Sequence, residues 1–125
     1  MRFKTSHMIL YLFCLLPLHL YPQQEKLDFQ HYTVEDGMSA PVVSSMLQDK
    51  NGFLWFGTWD GVDKFDGYSF TRFRNDPANP DSISYNSISA LYEDTDGYLW
   101  VGTLGGGLNR YDPKTGKFAH YFPFI

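Results

Sequence analysis

The chain has 125 residues, of which 18% are Phe, Tyr or Trp, and a formal net charge of −4. That aromatic content exceeds what a helical bundle needs, and the aromatics fall in short runs between Gly, Asn and Asp turns, so the chain reads as all-β. The acidic balance leaves no basic footprint for nucleic acid, and a lone cysteine, Cys14, excludes an intrachain disulfide and a thiolate metal site.

Arg2 and Lys4 precede an apolar stretch over residues 8–20, and polar Gln23, Gln24, Glu25 and Lys26 follow it. Residues 1–24 are therefore expected to be a signal peptide, cleaved between Tyr21 and Glu25, because about 13 apolar residues fall short of the roughly 20 a spanning helix needs. Phe13 stands before Cys14 where a lipoprotein signal has a small residue. Without Arg2 and Lys4 the net charge falls to −6. Residues 25–35 contain Phe29-Gln30-His31-Tyr32, an echo of Phe70-Thr71-Arg72-Phe73 and Phe118-Ala119-His120-Tyr121 further on. This segment is read as an orphan outer strand, one that completes another blade in a longer protein and closes its ring.

Residues 36–80 and 81–125 are two copies of one repeat. Asp36 to Gly61 aligns without a gap to Asp81 to Gly106, with 10 of 26 positions identical. The shared core is Asp49, Gly52, Leu54, Trp55, Gly57 and Thr58 in the first copy, and Asp94, Gly97, Leu99, Trp100, Gly102 and Thr103 in the second. Each copy divides into four strand-like runs, at residues 42–48, 53–59, 62–66 and 69–74, then 87–93, 98–104, 108–112 and 117–122. Asp49-Lys50-Asn51-Gly52 and Asp94-Thr95-Asp96-Gly97 are hairpin turns, with Gly supplying positive φ. The second run is apolar on both faces: Phe53 and Trp55 project one way, Leu54 and Phe56 the other. A strand buried on both sides belongs to a sheet sandwiched between neighbours, as in a β-propeller blade. Two prolines, Pro77 and Pro80, stiffen the crossing between copies.

Most candidate chemistry dissolves into turn and core roles. The Asp-x-Asn/Asp-Gly turns depart from the EF-hand spacing. Gly102, Gly105 and Gly107 imitate a phosphate loop, but no helix pattern or Lys-Ser/Thr follows. Asp60, Asp63 and Asp66 are the densest carboxylates, yet only Asp66 has an acidic counterpart, Asp112, and strand alternation does not bring the three together. His31 and His120 occupy equivalent outer-strand positions and read as structural. Trp55 and Trp100 read as core. Trp59, which replaces Leu104 of the other copy at a strand end, is the ligand-binding candidate.

With these motifs in hand, the sequence resembles the two-component regulator propeller family, whose repeat has an Asp-x-Asp/Asn-Gly turn, then apolar-Leu-Trp-apolar-Gly-Thr, a Gly-rich turn and an aromatic-Asp pair, here Phe65-Asp66 and Tyr111-Asp112. The resemblance implies a partial propeller of two four-stranded antiparallel blades in the periplasmic sensor region of a hybrid histidine kinase. Carbohydrate signals, a dimeric assembly and further blades of the same polypeptide are also implied. No cofactor and no catalytic residue is expected in this stretch, and contact with the membrane is expected only through the leader or a downstream helix. An exported propeller enzyme acting on glycans and a protein-interaction propeller are the alternatives. Two blades share one interface, so the isolated chain is expected to be poorly stable or to associate with itself.

Overall fold

The computed structural model describes residues 25–123, so the expected signal peptide lies outside the described residues. Residues 25–30 belong to one unit, and there they are exposed and carry no regular secondary structure. The second unit, from His31 onward, is all β apart from one 3-10 turn over Val34–Asp36. Its strands are β1 (Val43–Gln48), β2 (Leu54–Thr58), β3 (Gly61–Phe65), β4 (Phe70–Phe73), β5 (Ile88–Glu93), β6 (Leu99–Thr103), β7 (Leu108–Asp112) and β8 (Lys117–Tyr121). They form two antiparallel meanders, β1-β2-β3-β4 and β5-β6-β7-β8, which are the two expected blades with strand ends displaced by at most one residue. The strand expected at residues 29–32 is not formed here, because an outer strand needs a third strand of its own blade to pair with, and β3 and β7 are already paired to β4 and β8.

The repeated residues build each blade in the same way. The Asp49 carboxylate accepts the amides of Asn51 (2.9 Å) and Phe53 (3.0 Å) with one oxygen and the Trp55 indole N–H (2.8 Å) with the other. Asp94 does the same for Asp96 (2.9 Å), Tyr98 (3.0 Å) and Trp100 (2.8 Å). One carboxylate therefore shapes the hairpin turn and fixes the rotamer of the tryptophan that follows it. The Trp100 indole, and after it the Tyr98, Asp96 and Gly97 backbones, holds the Asp94 carboxyl below its ordinary pKa. The last residue of the motif clasps the next turn. The Thr58 hydroxyl donates to the Gly61 carbonyl (2.9 Å) and accepts from the Asp60 amide (3.1 Å), as Thr103 does with Gly107 (2.8 Å) and Gly106 (2.8 Å). Gly61 thus corresponds to Gly107, not to Gly106 as the ungapped alignment has it; the second turn carries one extra residue. Both glycines hold positive φ, 123° and 73°.

The blades share one interface. Trp55, 2% exposed, stacks on Phe73 (ring centroids 5.6 Å apart), and both meet Tyr111 edge-on at 5.2 Å. Phe118 closes the cluster against Phe73 (5.7 Å) and Tyr111 (5.0 Å), with Leu99, Val101 and Val62 packed in the same core. Burial pushes the Tyr111 hydroxyl above its ordinary pKa, and the Asp112 carboxylate adds to the effect. At the inner edge, β1 and β2 pack on β5, where the Ser44 hydroxyl donates to the Ile88 carbonyl at 2.7 Å. The expectation of second strands buried on both faces is met on one face only. Leu54 and Phe56 of β2, and Trp100 of β6, are half-exposed because no blade lies against those faces among the described residues. Trp100 packs sideways on Tyr121 (5.4 Å) and Arg110 (5.9 Å) and is half-exposed among the described residues.

Candidate ligand cleft at the ends of the blades

The turn from β2 to β3 and the chain crossing from blade 1 to blade 2 emerge at the same end of the sheets. Gly61 donates its amide to the Asn86 carbonyl (2.7 Å), tying the turn to the crossing, and Leu104 donates to Ser87 (2.9 Å) from the other blade. Within the crossing, Asn75 donates its side-chain amide to the Ile83 carbonyl (2.9 Å), and the Asn75 backbone amide donates to the Asn86 side chain (2.7 Å). Two asparagines therefore fold an exposed, proline-stiffened loop into a fixed wall, since each replaces backbone hydrogen bonds that no sheet supplies.

Between these segments lies an open cleft of about 400 Å³, lined by Trp59, Asp60, Asn75, Tyr85, Asn86 and Ser87. Trp59 is 60% exposed and Tyr85 46% exposed, the two aromatic walls of an otherwise polar cleft. Tyr85 is held from behind, its ring seated where a Cβ on Gly105 would collide at 2.8 Å and its own Cβ where one on Gly106 would collide at 2.5 Å, so glycine at these positions makes the room. Asp60 is braced by Arg74, with a 2.8 Å ion pair and a 3.0 Å bond from the guanidinium to the Asp60 carbonyl. The arrangement offers two ring faces, a carboxylate, and amide and hydroxyl groups: stacking surfaces with hydrogen-bond donors and acceptors set around them. In the second blade the equivalent end has Leu104 in place of Trp59, beside a cleft lined also by Thr103, Gly105, Gly107, Phe122 and Pro123.

The clustered carboxylates Asp60, Asp63 and Asp66 point apart. Asp63 is fully buried and accepts the backbone amide of Ser39 (2.7 Å) and the Ser39 hydroxyl. Asp60 lines the cleft, and Asp66 caps the β3–β4 hairpin, where the Ser69 and Tyr68 amides lower its pKa. The buried role has a counterpart: the Asn109 side chain accepts the Ser84 amide (3.0 Å) and donates to its hydroxyl (2.9 Å). Asp63 and Asn109 thus each pin the chain where it arrives from the previous outer strand. His120 does similar work, its Nε2 lying 2.6 Å from the Ser82 carbonyl, whereas His31 is exposed. Among the described residues no three His, Cys, Asp or Glu side chains are grouped to hold a metal, and no helix is long and apolar enough to cross a membrane. Tyr85 was not legible as a site residue, because its place in the cleft depends on the crossing loop. The adjacent glycines Gly105 and Gly106 were the only local trace of its seat.

The family model for the two component regulator propeller matches residues 37–60 and 82–105. A curated relative, histidine kinase P4 of Formosa agariphila, is 45% identical over 73 residues, which is 58% of this chain and 5% of that protein. The solved extracellular domain of the hybrid two component system BT3049 from B. thetaiotaomicron superposes with a TM-score of 0.69 at 37% identity, covering 74% of this chain and 13% of that one. The extracellular domain of BT4673, a one component system of the same organism, gives 0.60 at 28% identity, covering 75% and 14%. The chain therefore spans only a small part of each relative's length.

Proposed function

The chain belongs to the two-component regulator propeller repeat family, and from that premise we propose that it is a non-catalytic segment of an exported sensor region, serving a two-component histidine kinase and recognising an oligosaccharide in the cleft beside Trp59. The relatives support the sensor reading: one is a histidine kinase and the others are extracellular domains of signalling systems. The single observation that carries the ligand assignment is the pairing of exposed Trp59 with Tyr85 across a cleft that also presents Asp60, Asn75, Asn86 and Ser87. Ring faces suit the CH faces of sugars, and the carboxylate and amides suit hydroxyls. Asp60, Asp63 and Asp66 diverge, so these three carboxylates do not supply the facing pair that glycan cleavage needs.

Titration of the purified chain with a panel of oligosaccharides, followed by the indole signals in NMR spectra, tests this reading. At least one oligosaccharide is expected to shift the Trp59 indole resonance, and Trp59→Ala to weaken that binding by about tenfold or more. No shift across the panel, or equal affinity in Trp59→Ala, removes the assignment.

A further inference from the structure

The cleft beside Trp59 carries one formal charge. Of the side chains that line it only Asp60 is ionic; the others are aromatic, amide or hydroxyl groups. Both amides spend half of their hydrogen-bonding capacity inside the crossing loop: Asn75 uses its Nδ2 on the Ile83 carbonyl, and Asn86 uses its Oδ1 on the Asn75 backbone amide. What they leave, one acceptor and one donor, has no preference for either sign of charge. The counter-ion of Asp60 comes from outside the cleft. Arg74 lines a separate groove beside Phe73 and Ile83, and its guanidinium is shared among Asp60 Oδ2 (2.8 Å), the Asp60 carbonyl (3.0 Å) and the Ser39 carbonyl (3.3 Å). Arg74 thus takes one oxygen of the Asp60 carboxylate, and the Asp60 side chain stays 44% exposed, with Oδ1 left for a ligand. A carboxylate oxygen beside two exposed aromatic rings suits a cation, because the ring faces and the carboxylate both attract positive charge and both repel negative charge. The net charge of −4 adds a weak long-range pull of the same sign.

We propose that the cleft selects its ligand by charge and that Asp60 is the residue that does so: the preferred ligand is an oligosaccharide of amino sugars with protonated amines, its neutral N-acetylated counterpart binds more weakly, and an oligosaccharide of uronic acids is turned away. The inference rests on the oligosaccharide reading of this cleft and adds the sign of the ligand's charge. A protonated amino sugar lays its CH face on one aromatic ring as a neutral sugar does, and its ammonium meets Asp60 Oδ1 and the edge of the second ring's π face. N-acetylation keeps the sugar ring and its hydroxyls and removes the charge. A uronic acid brings a second carboxylate towards Asp60, and no cation lines the cleft to offset it. Because the Asp60–Arg74 pair is half-exposed, solvent screens the discrimination and holds it to a modest factor. The cleft beside Leu104 has no charged side chain in its lining among the described residues, so the selectivity belongs to the first copy of the repeat.

The test follows the Trp59 indole of the whole chain by NMR in mildly acidic, low-salt buffer, with a glucosamine tetramer, the N-acetylglucosamine tetramer and a galacturonate tetramer as probes. The glucosamine tetramer is expected to bind about five- to tenfold more tightly than its acetylated form. That advantage is expected to shrink as salt is added, a readout on the unmodified chain that needs no variant to fold. The galacturonate tetramer is expected to leave the indole unmoved. Asp60→Asn is expected to remove the preference for glucosamine and to leave affinity for the acetylated tetramer within about twofold. Asp60→Glu, which keeps the charge, is expected to keep the preference, so that its loss in Asp60→Asn is assigned to charge and not to a disturbed loop. Equal affinity for the two forms in the unmodified chain, a preference that survives Asp60→Asn, or galacturonate binding as strong as that of the neutral tetramer overturns the proposal and leaves the sugar assignment standing. No indole shift with any of the three overturns it too, and the sugar assignment falls with it if the wider oligosaccharide panel is equally silent.

Discussion

Trp55 and Trp100 occupy the same position of the same motif, make the same 2.8 Å hydrogen bond to the same aspartate of their turns, and differ in burial. Trp55 is sealed by Tyr111 and Phe73, whereas Trp100 has only its own blade beside it. The reverse holds one residue earlier, where Leu99 is 3% exposed and Leu54 half-exposed. A repeat thus specifies a blade with two apolar faces, and position in the array decides which face is core. Burial in a repeat protein is a property of neighbours.

The sharpest way to break this comparison is to truncate both tryptophans. Trp55→Ala is expected to cost about 3–5 kcal/mol in urea denaturation, and Trp100→Ala only about 1–2 kcal/mol, from its lost ring contact and hydrogen bond. Equal losses would mean that the two faces are equally covered in solution.

A smaller effect separates the second-strand glycines. A Cβ on Gly57 meets the Ser45 hydroxyl and the Ile88 side chain, the latter at 2.7 Å, whereas a Cβ on Gly102 comes no nearer than 3.1 Å to the Ser89 hydroxyl. Gly57→Ala is therefore expected to destabilise by about 1–3 kcal/mol and Gly102→Ala by less than about 1, as read from thermal unfolding midpoints. A similar loss for both would point to strand propensity, not to the proximity of β5, as the cause.

The smallest effect is a titration. Asp94 has a depressed carboxyl pKa chiefly because it accepts the Trp100 indole, and Asp66 has one because of the Ser69 and Tyr68 amides. A depressed folded pKa stabilises above the unfolded carboxylate value, and that contribution fades as pH falls through the folded value. Trp100→Phe should move the Asp94 pKa upward in a carboxyl-detected NMR titration and leave Asp66 where it was. Movement of both would show that the substitution disturbs the whole chain and not one hydrogen bond.

Features set by neighbouring residues are legible in the sequence, and features set by distant ones are not. The eight strands were readable because alternation and Asp-x-x-Gly turns act within a few residues. The 3-10 turn at Val34–Asp36 has a local signal in Thr33-x-x-Asp36 followed by Gly37, a capping box with both reciprocal bonds formed. Asp49 and Asp94 were recognised as turn formers but not as anchors for the tryptophans six residues on, a contact that needs the twist of the hairpin. Trp59 stands out in the sequence by contrast with Leu104 and lines an open cleft, whereas Tyr85 reaches that cleft only through the fold of the crossing loop.

By itself, then, the amino-acid sequence determined the repeat, its strand order and its turns, since each rests on backbone geometry that neighbouring residues impose. Only the tertiary structure decided that Trp55 is sealed between the two blades while Trp100 is half-exposed among the described residues, and that Asp63 is buried against Ser39. Those outcomes depend on which surface lies across the gap, and strand periodicity marks a face as apolar without saying what covers it.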